Sequence, residues 1–379
     1  MSTKVNEYLA ERQRSAASPE IAHQWVELED LYTKKLWHQL TLKLKDFIQD
    51  GGCSGPNELF EMYERFLSDF EHRINPLSLV EIVLRVVGDI KDPSKAIEFL
   101  EGIGAKVKGS LEAAILCETE IGTTKLECGD LVAVKALIRS TGDRLETVDT
   151  VSFIHARFYN LSSRYYMLTS AHAEYYRDAL RYLGCIEMDD IPVEERRDRA
   201  FKLSIAAILG DGVYNFGELL AHPILSSLQE TEHQWLVDLL YAFNSGSLPK
   251  FYELRPRWES QHDLVQSEAK LLEKIRLLCI MELTFTRPST NRSIPFQVIA
   301  DASQISLKQV EFLVMKALSL GLVKGTIDEV KQLVNMTWVQ PRVLDLSQIQ
   351  GMCQRLDEWS KNVKQTIHMI EDHSPELLA

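Results

Sequence analysis

The chain has 379 residues, with 42 Lys and Arg against 55 Asp and Glu and a formal charge of −13, enough length for two or three domains. That acidic balance opposes non-specific adhesion to nucleic acid or anionic lipid and favours protein partners. The N-terminus MSTKVNEYLAERQRS has no apolar core of signal-peptide type, and no apolar run approaches the roughly 18 residues of a membrane span, so a cytoplasmic or nuclear protein is expected.

From 21 to 50 the residues Trp25, Leu28, Leu31, Tyr32, Leu36, Leu40, Leu44 and Phe47 keep helical spacing. They predict two antiparallel helices or one long bent one, ended by the glycines of GGCSGP. Residues 59–74 and 77–90 repeat the theme on either side of Asn75 and Pro76. Short helices then open from an acidic or glycine turn at Asp92 to Ala96, Gly129 to Ala133 and His172 to Ala179, with longer helices over 111–126 and 148–168 between them. The separations of Ala96, Ala133 and Ala179 fall near the ~34 to 47 residue period of two-helix repeats. Such pairs cannot bury both faces alone, so residues 1–170 are expected to stack into a TPR-like helical-repeat solenoid. The tyrosines Tyr159, Tyr165, Tyr166, Tyr175, Tyr176 and Tyr182 are expected to pack between adjacent helices as core.

The polar stretch 187–199, EMDDIPVEERRDR, is expected to be a loop or a solvated helix entry. Residues 264–285 predict one long helix, with Leu271, Leu272, Ile275, Leu278 and Cys279 buried and Lys270, Glu273 and Lys274 outside. From 284 to 341 short helices mix with a hairpin. Pro295 suits the first turn of a helix carrying Phe296, Val298 and Ile299. Ser306 and Gln309 have capping-box spacing ahead of a second helix, whose apolar stripe ends at Gly321. Residues 322–327 and 333–338 are rich in β-branched and large apolar side chains and form a hairpin, the wing of a winged helix. The second helix sets Lys308 and Lys316 against Glu311, with Phe312 and Met315 besides. It lacks the basic stripe that phosphate contacts require.

After Pro341, the residues Leu346, Ile349, Met352, Leu356, Trp359, Val363, Ile367 and Ile370 recur at three- and four-residue steps. This is a coiled-coil or bundle seam on a long C-terminal helix. That helix either folds back on its own domain or docks into a bundle made with other chains. The size of the patch it would otherwise expose favours the bundle. The fold expected is therefore mainly α: a solenoid over 1–170, a helical part over 171–283 joined to a winged helix over 284–341, and a bundle helix over 342–379.

No H-E-x-x-H, G-x-S-x-G, P-loop or dinucleotide glycine motif is present, and GDGVYNFG (210–217) reads as a turn between helices. Histidines such as His155, His172, His222 and His233 make no i, i+4 pair for a metal. The acidic pairs Asp189–Asp190 and Glu194–Glu195 lie in a polar stretch that gives them no division of acid and base roles. Six scattered cysteines, Cys53, Cys117, Cys128, Cys185, Cys279 and Cys353, are expected to be reduced and mostly buried. No catalytic, metal or cofactor-binding residue is expected, and a scaffold is favoured over an enzyme.

A helical array joined to a winged helix and finished by a helix resembles the PCI family, the modules shared by the proteasome lid, the signalosome and translation initiation factor three. The family's loose pattern is filled here by Ile299, Glu311 and the run Gly325, Thr326, Ile327, Asp328. The runs 216–225, 235–251 and 294–345 narrow the likeness to a non-catalytic structural subunit of the lid of the 19S regulatory particle of the 26S proteasome. That resemblance implies a role in ATP- and ubiquitin-dependent protein degradation. It also implies wing sheets joined edge to edge, with an interface on the wing and the second helix at Glu311, Lys324, Gly325, Thr326, Ile327, Asp328, Asn335 and Thr337, and terminal helices gathered into one bundle. The partners implied are other PCI lid subunits, metalloprotease-type lid subunits and the assembled proteasome. No nucleic acid, membrane, cofactor or small-molecule ligand is implied. A subunit of a sister complex and a nucleic-acid adaptor are the alternative readings.

Overall fold

The structure is a computed structural model that describes residues 2–15, 18–51, 55, 57–148, 150–229, 231–287, 291–343 and 346–373. It divides into two compact units, Met1–Ser170 with Asp178–Ile186, and Ala171–Arg177 with Glu187–Ala379.

The first unit is helical throughout. It begins with α1 (Ser2–Ser15), α2 (Pro19–Thr33), α3 (Trp37–Gln49) and α4 (Glu58–Met62), which runs through a π-helical turn into α5 (Ser68–Phe70). Then follow α6 (Pro76–Asp89), α7 (Pro93–Lys106), α8 (Leu111–Glu127), α9 (Leu131–Leu145) and α10 (Phe153–Leu168). The next helix, α11 (His172–Gly184), crosses the division between the units.

Three of these helices open alike. Ser18, Asn75 and Asp92 accept hydrogen bonds from the amides of Ile21, Leu77 and Ser94, and in each case proline is the next residue. Each cap satisfies an amide the helix leaves unpaired, and loss of one costs about 1 kcal/mol. Residues 21–50 form two helices rather than one bent helix, because Lys35 takes a left-handed conformation (φ 58°) between them. The helix expected from Val148 starts at Phe153, where the Ser152 amide donates to His155 Nδ1 at 3.2 Å.

The helix α8 is buried on most sides, and it packs against α6, α7, α9 and α10. An apolar residue on every side of a helix marks such a central element. Helix α1 buries Val5, Tyr8 and Leu9 and sets the Tyr8 ring edge-on to Trp25 at 6.2 Å. Between α10 and α11, the buried Ser162 Oγ donates to Asp178 Oδ2 at 2.5 Å. Tyr165 and Tyr182 are buried in the first unit, with Tyr159 and Tyr166 half-buried, whereas Tyr175 and Tyr176 are buried in the second.

The second unit continues with α12 (Val193–Leu209), α13 (Gly217–Ala221), α14 (Gln234–Asn244), α15 (Leu248–Trp258), α16 (His262–Gln266) and α17 (Glu268–Phe285). It ends with β1 (Ser293–Pro295), α18 (Phe296–Ser303), α19 (Leu307–Ser319), β2 (Val323–Asp328), β3 (Leu333–Val339) and α20 (Leu346–His373). The polar stretch 187–199 is a 3-10 turn followed by the exposed start of α12.

Three expectations need correction here. Residues 264–285 are two helices divided at Ser267, not one. Lys274 is not outside: it is 8 % exposed, because the steps 271, 274, 275 and 278 put it on the buried face. Its ammonium donates to the carbonyls of Ala207, Ile208 and Gly210 at 2.8, 2.9 and 2.8 Å, and so caps the C-terminal end of α12 from α17. Burial pushes its pKa down to about 7. Pro295, finally, closes a strand and precedes α18 rather than lying in its first turn.

Among the described cysteines, Cys117 and Cys279 are buried, Cys185 is half-buried, and Cys128 and Cys353 are exposed, so burial is not their general state. All five are free thiols; Cys53 lies outside the described residues. Among the described residues, no helix is long and apolar enough to cross a membrane.

Candidate assembly surfaces

The wing is a three-stranded antiparallel sheet in the order β1-β3-β2. Its third strand, β1, pairs Ser293 with Asn335 and Ile294 with Val334. Ile294, Val323, Val334 and Met336 are buried, which leaves the opposite face polar. On that face lie Lys324, Thr326, Asn335 and Thr337, all exposed. Ser293 Oγ bonds Asn335 Oδ1 at 2.6 Å, Thr337 Oγ1 donates to the Lys324 carbonyl at 3.1 Å, and the Lys324 ammonium sits 4.9 Å from the Trp338 ring centre. The sheet has β1 at one edge and β2 at the other, and β2 is the longer. An edge strand offers unpaired N–H and C=O groups to another strand.

The expected Gly325–Asp328 run does several jobs. Gly325 sits at a bulge where a Cβ would collide with the Asn335 carbonyl, so no larger residue fits without a shift. Ile327 is half-buried opposite Val334. Asp328 Oδ1 accepts from the Lys331 amide at 3.0 Å and shapes the wing turn. Gly325 and Asp328 therefore build the wing, while Lys324, Thr326, Asn335 and Thr337 present a surface. Glu311 is half-buried on α19, the second helix.

Two exposed features were missing from the expected interface. Phe312 and Met315, three residues apart on α19, are 71 % and 50 % exposed, and Val330 at the wing tip is 96 % exposed. The sequence holds the signal for the first two, since both fall off the buried stripe of Val310, Leu313, Val314 and Ala317. Lys316 is engaged by Glu273 of α17. The helix that would enter a DNA groove thus shows apolar groups, a lysine paired with Glu273 and the exposed Lys308.

The second surface is α20, a 28-residue helix about 42 Å long. Ile349, Met352, Leu356, Trp359, Val363, Ile367 and Ile370 are all exposed, Trp359 at 66 %, and Met369 joins them. The side chain of Leu346 lies outside the described residues. No residue from 350 to 371 is buried.

Among the described residues, no group of three His, Cys, Asp or Glu could hold a metal. Two cavities, of about 570 Å³ beside Tyr8 and Arg65 and about 700 Å³ beside His233 and Arg257, are open and lined by charged residues.

Comparison with known proteins gives three family matches in chain order: PSD13 N-terminal repeats over residues 24–240, a PCI domain over 252–338, and the Rpn9 C-terminal helix over 342–374. The chain is 39 % identical over 373 residues to 26S proteasome non-ATPase regulatory subunit 13 homolog B of Arabidopsis thaliana, covering 96 % of this chain and 97 % of that one. It is 38 % identical over 375 residues to 26S proteasome non-ATPase regulatory subunit 13 of Dictyostelium discoideum, covering 95 % and 96 %. It is 34 % identical over 368 residues to 26S proteasome regulatory subunit RPN9 of Saccharomyces cerevisiae, covering 93 % of each chain.

Proposed function

The chain belongs to the family of 26S proteasome non-ATPase regulatory subunit 13, and from that premise we propose that it is a non-catalytic structural subunit of the regulatory particle lid. In that role it serves ATP- and ubiquitin-dependent protein degradation by holding other lid subunits in place. It carries out no chemistry itself. Relatives matched over nearly their full length are proteasome subunits, which favours this reading over a sister complex.

The observation that carries the reading is the uncovered stripe of α20. Fully burying a large apolar side chain contributes about 1.5–3 kcal/mol, and seven side chains roughly half exposed retain on the order of 5–10 kcal/mol of that gain. No residue from 350 to 371 is buried within the chain, so the remaining burial is left for a partner to supply. Helices of other lid subunits, PCI and metalloprotease-type, are the proposed occupants, through Leu346, Ile349, Met352, Leu356, Trp359, Val363, Ile367 and Ile370. The open edge of β2 and the exposed face at Lys324, Thr326, Asn335 and Thr337, with Glu311 on α19, form the proposed contact with a neighbouring PCI subunit. Residues 1–170 form the proposed solenoid domain, 171–341 the PCI domain and 342–379 the assembly helix. Cytoplasm and nucleus are the proposed sites of action.

The test is native purification of a tagged chain, followed by size fractionation, a peptidase assay and subunit identification. Co-elution with peptidase activity and other PCI chains is expected. Trp359→Asp or Ile367→Asp buries a charge in the seam at a cost of several kcal/mol, so incorporation falls at least tenfold while the circular dichroism of the isolated chain is unchanged. Undiminished incorporation of both variants rules out the bundle role.

A further inference from the structure

We propose that Arg342 is a positioning residue for assembly: with Val343 it clasps the chain to the helical part of the second unit, so that α20 starts from a fixed point. The inference rests on the bundle reading above.

The Arg342 side chain is 7 % exposed. Its guanidinium is paired with Glu282 of α17 and donates through Nη1 to the carbonyl of Asn244, at the end of α14, at 2.9 Å. The Phe285 ring centre lies 5.8 Å from its Cζ. One planar fork thus joins the last turn of α14, the last turns of α17 and the segment that leaves the wing. A lysine has no such fixed pair of donors and could not hold both acceptors in one plane.

The next residue completes the hold. The Val343 amide donates to Asn215 Oδ1 at 3.4 Å, and Asn215 Oδ1 also accepts from the Gly217 amide at 3.2 Å. Val343 lies so close to Gly217 that a Cβ there would approach within 2.5 Å of its own. The loop that forms this seat is fixed in turn. Lys274 holds the Gly210 carbonyl, and the Tyr176 hydroxyl donates to the Asn215 carbonyl at 3.2 Å.

Such a clasp could simply stabilise the unit, but its place in the chain gives it a second consequence. Leu346, the first residue of α20, is three residues beyond Val343, and three residues span at most about 10 Å. The root of the assembly helix is therefore confined to within about 10 Å of the clasp, although no residue from 350 to 371 is buried in the chain. A short tether raises the effective concentration of the helix at its partner, and that concentration falls roughly as the −3/2 power of tether length. Lengthening the tether from three to fifteen residues lowers it by about elevenfold.

Four full-length tagged chains test this, each replacing the native copy in cells: wild type, Arg342→Met, a twelve-residue Gly-Ser insertion after Val343, and Trp359→Asp. The readouts are the fraction recovered in the assembled particle and the melting temperature of the isolated chain. The insertion leaves the clasp intact, so its melting temperature stays within about 2 °C of wild type. Its incorporation nevertheless falls about tenfold, a change that a merely stabilising clasp does not produce. Arg342→Met lowers incorporation at least as much. Wild-type incorporation of either the insertion or Arg342→Met overturns the proposal. If Trp359→Asp is excluded while the insertion is not, the bundle reading stands and only the clasp falls. If Trp359→Asp assembles normally, the bundle reading fails and takes the clasp's role with it.

Discussion

At position 274 the helical period asks for an apolar residue and the chain supplies a lysine, whose three donors end on carbonyls of α12 and its exit. Lys274→Met leaves those carbonyls without their donor and is expected to cost about 1–3 kcal/mol near pH 7. The pH dependence has a definite sign. The folded-state pKa, about 7, lies below the ordinary 10.5, so between these values the unfolded chain binds the extra proton. Stability from this group is complete above the ordinary value and is lost as pH falls towards 7. Urea unfolding at pH 7 and pH 9.5 should therefore show the wild-type advantage over Lys274→Met widening at the higher pH. An unchanged difference contradicts the lowered pKa. The sequence reading missed this residue because it sorted by charge, although the spacing from Leu271 to Leu278 already placed it inside. Gly325 and Asp328 were readable only as a family pattern. Their separate jobs, at a bulge and in a turn, depend on strand pairing that adjacent residues do not specify.

Elements were legible where their signal is local. The stripe of α20 and the capping box at Ser306 and Gln309 lie within one helical segment each, and both are present in the structure. Elements defined by distant partners were not. Strand β1 is three residues long and exists by pairing with β3 some 40 residues later. Helix α1 went unassigned because much of its surface is polar and only Val5, Tyr8 and Leu9 anchor it. The break at Ser267 interrupts an apolar period that continues across it, so spacing alone joins what the backbone separates; at Lys35 the same spacing left one helix or two open, and the left-handed residue makes two. A prediction follows at this scale. Truncation after Asp345 removes α20, of which no residue from 349 to 371 is buried, so the melting temperature followed by circular dichroism should change by no more than about 2 °C. A larger fall means that α20 is covered by its own chain.

For the molecule as a whole, charge and fold class were the most readable properties, because both sum over many residues. The net charge of −13, with Lys316 engaged by Glu273, leaves the winged helix poorly suited to phosphate. A gel shift with duplex DNA or single-stranded RNA at roughly 50 mM salt, where such contacts are strongest, should show no complex at micromolar protein. A salt-sensitive shift restores the nucleic-acid adaptor. The two units change over between Ser170 and Ala171 and again within α11, where the sequence stays helical.

The exposed stripe of α20 also governs the life of a copy before it meets its sisters. Each newly made chain carries about 42 Å of helix with Trp359, Ile367 and their neighbours open to water. Surfaces of this kind draw chaperones and promote clumping as concentration rises. Partners that bind only the folded helix stabilise it by mass action, so supply and demand are linked through one surface. On the proposed bundle role, an excess of this subunit over its partners leaves that face uncovered, so the surface proposed for assembly is also the one an orphan copy exposes to aggregation.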